Sequence, residues 1–193
     1  QTAKALAEAL TRRVEFMLAD QGDGVENDVT HFALHFPECE GAASPASWLL
    51  DAPAQREVLW TAARSLGRAS AKTFAAKGVE LEQALTAGLA AGVQAALLTL
   101  AGEPRKFGEK IVGIEHVRVA QDLVLRYGAA QAQHDAWVYQ QRMTRLTRKL
   151  VVAFGDVKRQ QGWVDMNDVE AAAHLLLCDP VLSGWLQERL DAR

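Results

Sequence analysis

The stretch Trp137-Val-Tyr-Gln-Gln-Arg-Met-Thr-Arg-Leu-Thr-Arg-Lys-Leu-Val-Val-Ala-Phe-Gly-Asp-Val-Lys-Arg-Gln-Gln161 contains no proline and a single glycine. Its apolar residues Tyr139, Met143, Leu146, Leu150, Phe154 (with Ala153) and Val157 step by three and four, the spacing of one helical face. That spacing predicts one long helix near residues 133–161 with this stripe buried. Gly162 ends it, and Asp165 is placed to cap the next helix, Met166 to Leu177. Asp179-Pro180 then opens the last helix, Val181 to Leu190.

The same periodicity runs upstream. Leu6, Leu10, Val14, Met17 and Leu18 share a face between Thr2 and Asp20. Val29, Phe32, Leu34 and Phe36 make a short helical segment stopped by Pro37, and Ser44 or Ser47 can cap the turn that holds Trp48. Asp51-Ala52-Pro53 reads as an N-cap followed by proline in the first turn of a helix reaching Leu66. Helical spacing resumes from Ser70 to Ala87 despite Gly78, and Leu89 to Leu100 is an alanine-rich apolar segment. Arg105 to Gly113 is an irregular connector, and a helix after Ile114 stops at Gly128.

With 193 residues, 49% of them hydrophobic, the chain can bury a core, and only five prolines and fourteen glycines interrupt it. Strand-favouring residues other than Val are scarce, so the expectation is an all-α, irregular multi-helix bundle or array. A formal charge of −3 is too small to steer a nucleic acid by net field. Any such contact has to come from a local basic face. Cys39 and Cys178 give no disulfide framework and suit a reducing cytoplasm. No apolar run is long enough for a membrane span, so no membrane partner is expected. A chain that opens on Gln1 and closes on Arg193 within a helical pattern is expected to be a piece of something longer.

No nucleotide motif is complete. A phosphate-cradling loop needs Gly-x-x-x-x-Gly-Lys-Ser/Thr between strand and helix. The segment Gly67-Arg-Ala-Ser-Ala-Lys-Thr73 is one residue short and follows a helix, and Gly102 to Lys110 lacks the hydroxyl after the lysine. His31, His35 and Cys39 repeat at four-residue spacing, but Pro37 interrupts the helix that would align them, so half-buried histidines are the better reading. Asp165-Met-Asn-Asp168 reads as a cap rather than a metal cluster. No metal, cofactor or catalytic residue is assigned.

The basic side of the long helix is the best candidate site. Arg142, Arg145 and Lys149 follow an i, i+3, i+7 row, and Arg148, Lys158 and Arg159 extend it. Such a row either meets nucleic-acid phosphates without reading bases or is a solvated face. Arg105 and Lys106, in the connector, are weaker candidates for the same role.

Two segments carry a family resemblance. Arg145 to Glu170, with Lys158-Arg-Gln-Gln-Gly162 and Trp163-Val-Asp-Met-Asn-Asp168, resembles a signature of UvrD-like superfamily 1 DNA helicases, especially the AddA/RecB branch. Upstream, Leu98-Thr-Leu-Ala-Gly-Glu-Pro-Arg-Lys106 resembles a loop of AddA-type chains, and Trp185 to Arg193 is similar to the segment before the family's Walker B strand. The resemblance covers about Leu97 to Arg193, with Met166 where an aromatic residue is common. It implies that 1–161 is a helical accessory subdomain of the 1B kind and that 162–193 is a helix pair returning to the first motor domain. It implies a parent enzyme that hydrolyses ATP with Mg²⁺ and unwinds DNA, usually 3′ to 5′, in recombinational repair. The partners it implies are DNA and the remaining motor domains of the same chain. The family's ATP-binding lysine, acidic metal ligands and arginine finger have no counterpart here. The rival expectation is a non-enzymatic helical protein–protein interaction module.

Overall fold

The computed structural model describes residues 2–191, and among these the chain is all-α. The helices are α1 (Thr2–Thr11), α2 (Arg13–Ala19), α3 (Phe32–His35), α4 (Pro45–Asp51), α5 (Pro53–Gly67), α6 (Lys72–Thr86), α7 (Ala90–Leu97), α8 (Ile114–Gln161), α9 (Met166–Cys178) and α10 (Pro180–Asp191). The only extended pairing among the described residues is an isolated antiparallel bridge between Leu98 and Pro104. Among the described residues no helix is long and apolar enough to cross a membrane. Residues 1, 192 and 193 and the Leu6 side chain, named in the helical readings above, lie outside the described ones.

The chain divides into two compact units, Thr30–Val138 and Gln1–Val29 with Tyr139–Arg193.

In Thr30–Val138 an apolar core forms where α3 to α7 and the first half of α8 meet. Phe32, Leu49, Leu59, Leu66, Leu81, Val93, Leu97, Val117 and Val124 are fully buried. Local signals set several starts. Ser44 and Ser47 form a reciprocal capping box at α4, each side chain accepting from the other's backbone N–H at 3.1 and 3.0 Å. At α5 the cap position falls on Ala52, with Pro53 in the first turn; Asp51 is not the expected cap, because it is the last residue of α4.

Gly78 lies mid-helix and buried, and a Cβ there would sit 2.5 Å from the Gly67 nitrogen and 2.9 Å from the Ala63 oxygen. The glycine lets the α5 and α6 backbones approach. The helix expected to stop at Gly128 does not stop. Gly128 continues α8 in helical conformation, and a Cβ there would meet the Gln94 amide nitrogen of α7 at 3.4 Å, an ordinary contact. The long helix therefore begins at Ile114 rather than near 133. Within the connector, the buried Gln121 amide of α8 donates to the Leu97 and Arg105 carbonyls at 3.0 and 2.9 Å. That pins both ends of the bridged loop.

The other unit has a different interior. The single helix expected over Thr2 to Asp20 is broken at Arg12 (φ −112°, ψ 32°), and Arg13 starts α2 as a buried residue beside Val14. Met17 and Leu18 of the expected face are exposed. The apolar stripe of α8 is only partly packed: Met143, Leu150 and Phe154 are half-buried, while Tyr139, Leu146 and Val157 are 55%, 43% and 47% exposed. Thr144, Thr147 and Lys158 are buried instead, one step around the helix. Lys158 meets Asp165 and Asp168, and Gln140, about five turns earlier, lies on the same side of the helix. Gln140 and Gln141 donate to the carbonyls of Val25 and Glu26, both at 2.8 Å, so this side of α8 satisfies irregular backbone that an apolar stripe would leave unpaired.

Candidate nucleic-acid interface

Arg142, Arg145 and Lys149 lie along one edge of α8 about 10 Å long. All three are exposed. Arg142 and Lys149 have no ion-pair partner among the described residues, while Arg145 reaches Glu26 at 3.4 Å and stays 68% exposed. These three cations retain solvent-facing charge.

The other candidates are engaged. Arg148 places Nε and Nη2 on the two Asp20 oxygens at 2.6 and 2.7 Å and Nη1 on Glu26 at 2.5 Å. This two-pronged fit raises the guanidinium pKa, chiefly through the Asp20 and then the Glu26 hydrogen bonds, and it lowers the Glu26 carboxyl. Arg148 thus ties α8 to the chain between α2 and residue 29. Arg159 pairs with Asp156, one turn back on the same exposed face.

Lys158 is 5% exposed and donates to Asp165 at 2.8 Å and to Asp168, which also accept from the buried Arg13. Both cations lie over the Phe154 ring, 5.5 and 5.6 Å from its centroid. Burial pulls the Arg13 and Lys158 pKa values down, but the hydrogen bonds from Asp165 and Asp168 outweigh it and the net shift is upward. The carboxyls shift the opposite way. Asp165 falls well below its ordinary range, first through Arg13 and then Lys158, and Asp168 falls to about 2, first through Lys158.

Asp165 is the cap expected from the sequence. Its side chain accepts from the Asp168 N–H at 3.2 Å, and Asp168 accepts in return from the Asp165 N–H at 2.9 Å. The same carboxylates anchor α2 and the end of α8. Arg13, missed in the sequence, completes this cluster, and nothing local marks it: an Arg in an amphipathic segment reads as surface until the break at Arg12 turns it inward.

Arg105 and Lys106 belong to the unit Thr30–Val138. The Arg105 guanidinium donates to the Ala95 carbonyl near the end of α7 at 3.1 and 3.3 Å, and Lys106 is exposed with no ion-pair partner among the described residues.

For the ATP and Mg²⁺ implied by the resemblance, the described residues that come nearest are engaged otherwise. Gly67 to Thr73 is an elbow between two helices, with Gly67 inside α5, so no strand presents backbone N–H groups to a phosphate chain. Asp165 and Asp168, the nearest approach to a cation site, are already matched by Arg13 and Lys158. His31, His35 and Cys39 are separately occupied. His31 caps α3 by accepting from Ala33 N–H and stacks near Phe32, His35 contacts the Thr30 hydroxyl at 2.6 Å, and burial pushes the Cys39 thiol up to about 11. Among the described residues no three His, Cys, Asp or Glu side chains gather as a metal site would require. No family model, curated protein or solved structure matches this chain.

Proposed function

We propose that this chain is a helical piece of an ATP-dependent DNA helicase of the UvrD/AddA kind, acting in DNA repair or recombination, and that it contributes phosphate contacts while motor domains elsewhere hydrolyse ATP. On this reading 1–161 is the accessory subdomain, 162–193 leads back to the first motor domain, and the parent works in the cytoplasm. One observation carries the DNA contact: the exposed row Arg142, Arg145, Lys149, two of whose members have no ion-pair partner among the described residues. A row of cations on a rigid helix neutralises successive phosphates without reading sequence. Arg148 and Lys158 leave the set of proposed contacts, because binding a phosphate would strip the carboxylates they now neutralise.

Duplex and single-stranded DNA affinity measured against salt tests this. Replacing Arg142, Arg145 and Lys149 with Ala should weaken binding and reduce the salt slope by about one per lost contact. Unchanged affinity and slope would sink the proposal. The helicase assignment has its own test in the parent gene, where a phosphate-binding loop upstream and a hydrophobic strand ending in acidic residues downstream are expected. Their absence removes it.

A second reading, a non-enzymatic helical interaction module, is favoured by apolar exposure. Trp163, Val164 and Met166, Leu175 and Leu177 of α9, and Val181 and Trp185 of α10 are all open to solvent. Apolar exposure on this scale is a mark of partner faces.

A further inference from the structure

The two glycine-bearing basic segments that fail as nucleotide motifs in the sequence converge in the fold. Arg68, Ser70 and Phe74, from the elbow between α5 and α6, face Gly108, Glu109 and Lys110 of the connector across a cavity of about 600 Å³. That volume lies in the range of pockets that hold small organic ligands.

Its charge is unbalanced. Glu109 accepts from Arg118 at 2.9 Å, so its carboxylate is matched by a cation that does not line the cavity. Arg68 and Lys110 have no ion-pair partner among the described residues and leave a net positive lining that also includes Ser70. One wall is aromatic: Phe74 lines the cavity and is held edge to face by Phe107, centroids 5.5 Å apart at 75°. A Cβ on Gly108 would lie 3.3 Å from Phe74, so the glycine lets the connector run close against this ring.

Phe74 also lines a second hollow of about 250 Å³ on its other side, with Lys77, Arg105 and Lys106. There Lys77 pairs with Glu80 and Arg105 with the Ala95 carbonyl, so Lys106 is the cation left over.

We infer that the Arg68–Lys110 cavity binds a phosphate monoester carried next to an aromatic base, that is, a nucleotide with a terminal phosphate. Two exposed cations and a hydroxyl suit a dianionic phosphate, and the apolar wall with Phe74 suits a flat ring beside it. The same chemistry comes from a free mononucleotide or from the 5′-phosphorylated end of a strand. In the second case the chain continues past Phe74 toward Lys106. This site is separate from the α8 row and stands whether or not that row meets DNA.

Titration of the whole chain with AMP, and with a short single strand bearing either a 5′-phosphate or a 5′-hydroxyl, followed by calorimetry, tests the assignment. The expected result is binding that requires the phosphate and weakens on the order of tenfold in Arg68→Ala and in Lys110→Glu. Both residues are exposed, and unchanged circular dichroism of the variants checks that the fold persists. Binding of AMP that is indifferent to Lys106→Ala identifies a free nucleotide as the source. Preference for the phosphorylated strand, reduced by Lys106→Ala, identifies a strand end. Either outcome upholds the site. In the triple α8 variant, where the row no longer holds either strand, equal binding of the 5′-hydroxyl strand, no binding of any probe, or affinity unaltered by both Arg68→Ala and Lys110→Glu overturns it. The triple α8 variant serves as control and should leave phosphate-dependent binding intact.

Discussion

Where Leu59, Leu66, Leu81 and Val93 meet without solvent in Thr30–Val138, the interior of Gln1–Val29 with Tyr139–Arg193 holds Arg13, Thr144, Thr147 and Lys158. The first unit is held by apolar burial, which has no preferred direction. The second relies on matched charges and donor–acceptor pairs. Each of these is directional, and removing one member leaves its partner uncompensated. The apolar residues of α9 and α10 are meanwhile left on the surface, and α9 buries none of its side chains. Two regions of one chain, sharing a single continuous helix, thus follow opposite rules for what goes inside.

The apolar unit breaks most readily where its backbones touch. At Gly78 a Cβ would meet the Gly67 nitrogen and the Ala63 carbonyl, and neither can swing aside as a side-chain tip would. Gly78→Ala should therefore cost about 1–3 kcal/mol despite alanine's better helix propensity. Urea denaturation measures it, and unchanged or increased stability would show that α5 and α6 have room to separate.

A smaller effect is expected in the ionic unit from Arg13→Met, which keeps an unbranched, largely apolar side chain and deletes the charge. Asp165 and Asp168 would then share Lys158 alone, but both carboxylates are about 40% exposed and recover water, which limits the loss. Amide exchange at Asp168 and Val169 should quicken.

Acid sharpens the same point. Both carboxyl pKa values are depressed, so their contribution is complete above the unfolded carboxyl value near 4 and is lost as pH falls through the folded one, about 2 for Asp168. Lys158 is shifted upward, so its contribution fades only above its ordinary range near 10.4, and neutral pH is flat. Arg13→Met should move the onset of acid unfolding of α9 to higher pH. An onset that does not move would show that the cluster adds nothing to the docking of α9.

What the sequence revealed and what it hid divide along the same line. Asp165 as a cap, the pair Asp179-Pro180 at the start of α10 and Gly162 as a stop are local patterns whose partners lie within a few residues, and all three stand in the structure. Gly162 and Gly128 read alike as letters. Only the first adopts a positive φ, 66°, and the second stays helical because the apolar face of α8 continues through it to Ala130, packed in the core with Val124 and Tyr127. The α8 stripe misled because hydrophobicity marks a face that wants an apolar partner, while the real partner was backbone carbonyl at Val25 and Glu26.

The basic row divided for a similar reason. Arg142 and Arg148 are the same residue type on the same helix, and the acids that neutralise Arg148, Asp20 and Glu26, lie 128 and 122 residues away in sequence. The all-α class was legible throughout, because composition and periodicity average over such long-range partners.

The smallest expected effect is a gain, and it sets the two units against each other directly. Gly155 lies inside α8 in the ionic unit, and a Cβ there meets nothing within 4 Å. Its helical conformation suits alanine, which loses less backbone entropy on folding than glycine. Gly155→Ala should add about 0.5–1 kcal/mol, opposite in sign to Gly78→Ala although both replace a mid-helix glycine. Paired denaturation of the two variants reads the difference in packing with local propensity held constant. Should Gly155→Ala destabilise, α8 would need flexibility at that turn, and the reading of its second half as a stiff carrier for Arg142, Arg145 and Lys149 would weaken with it.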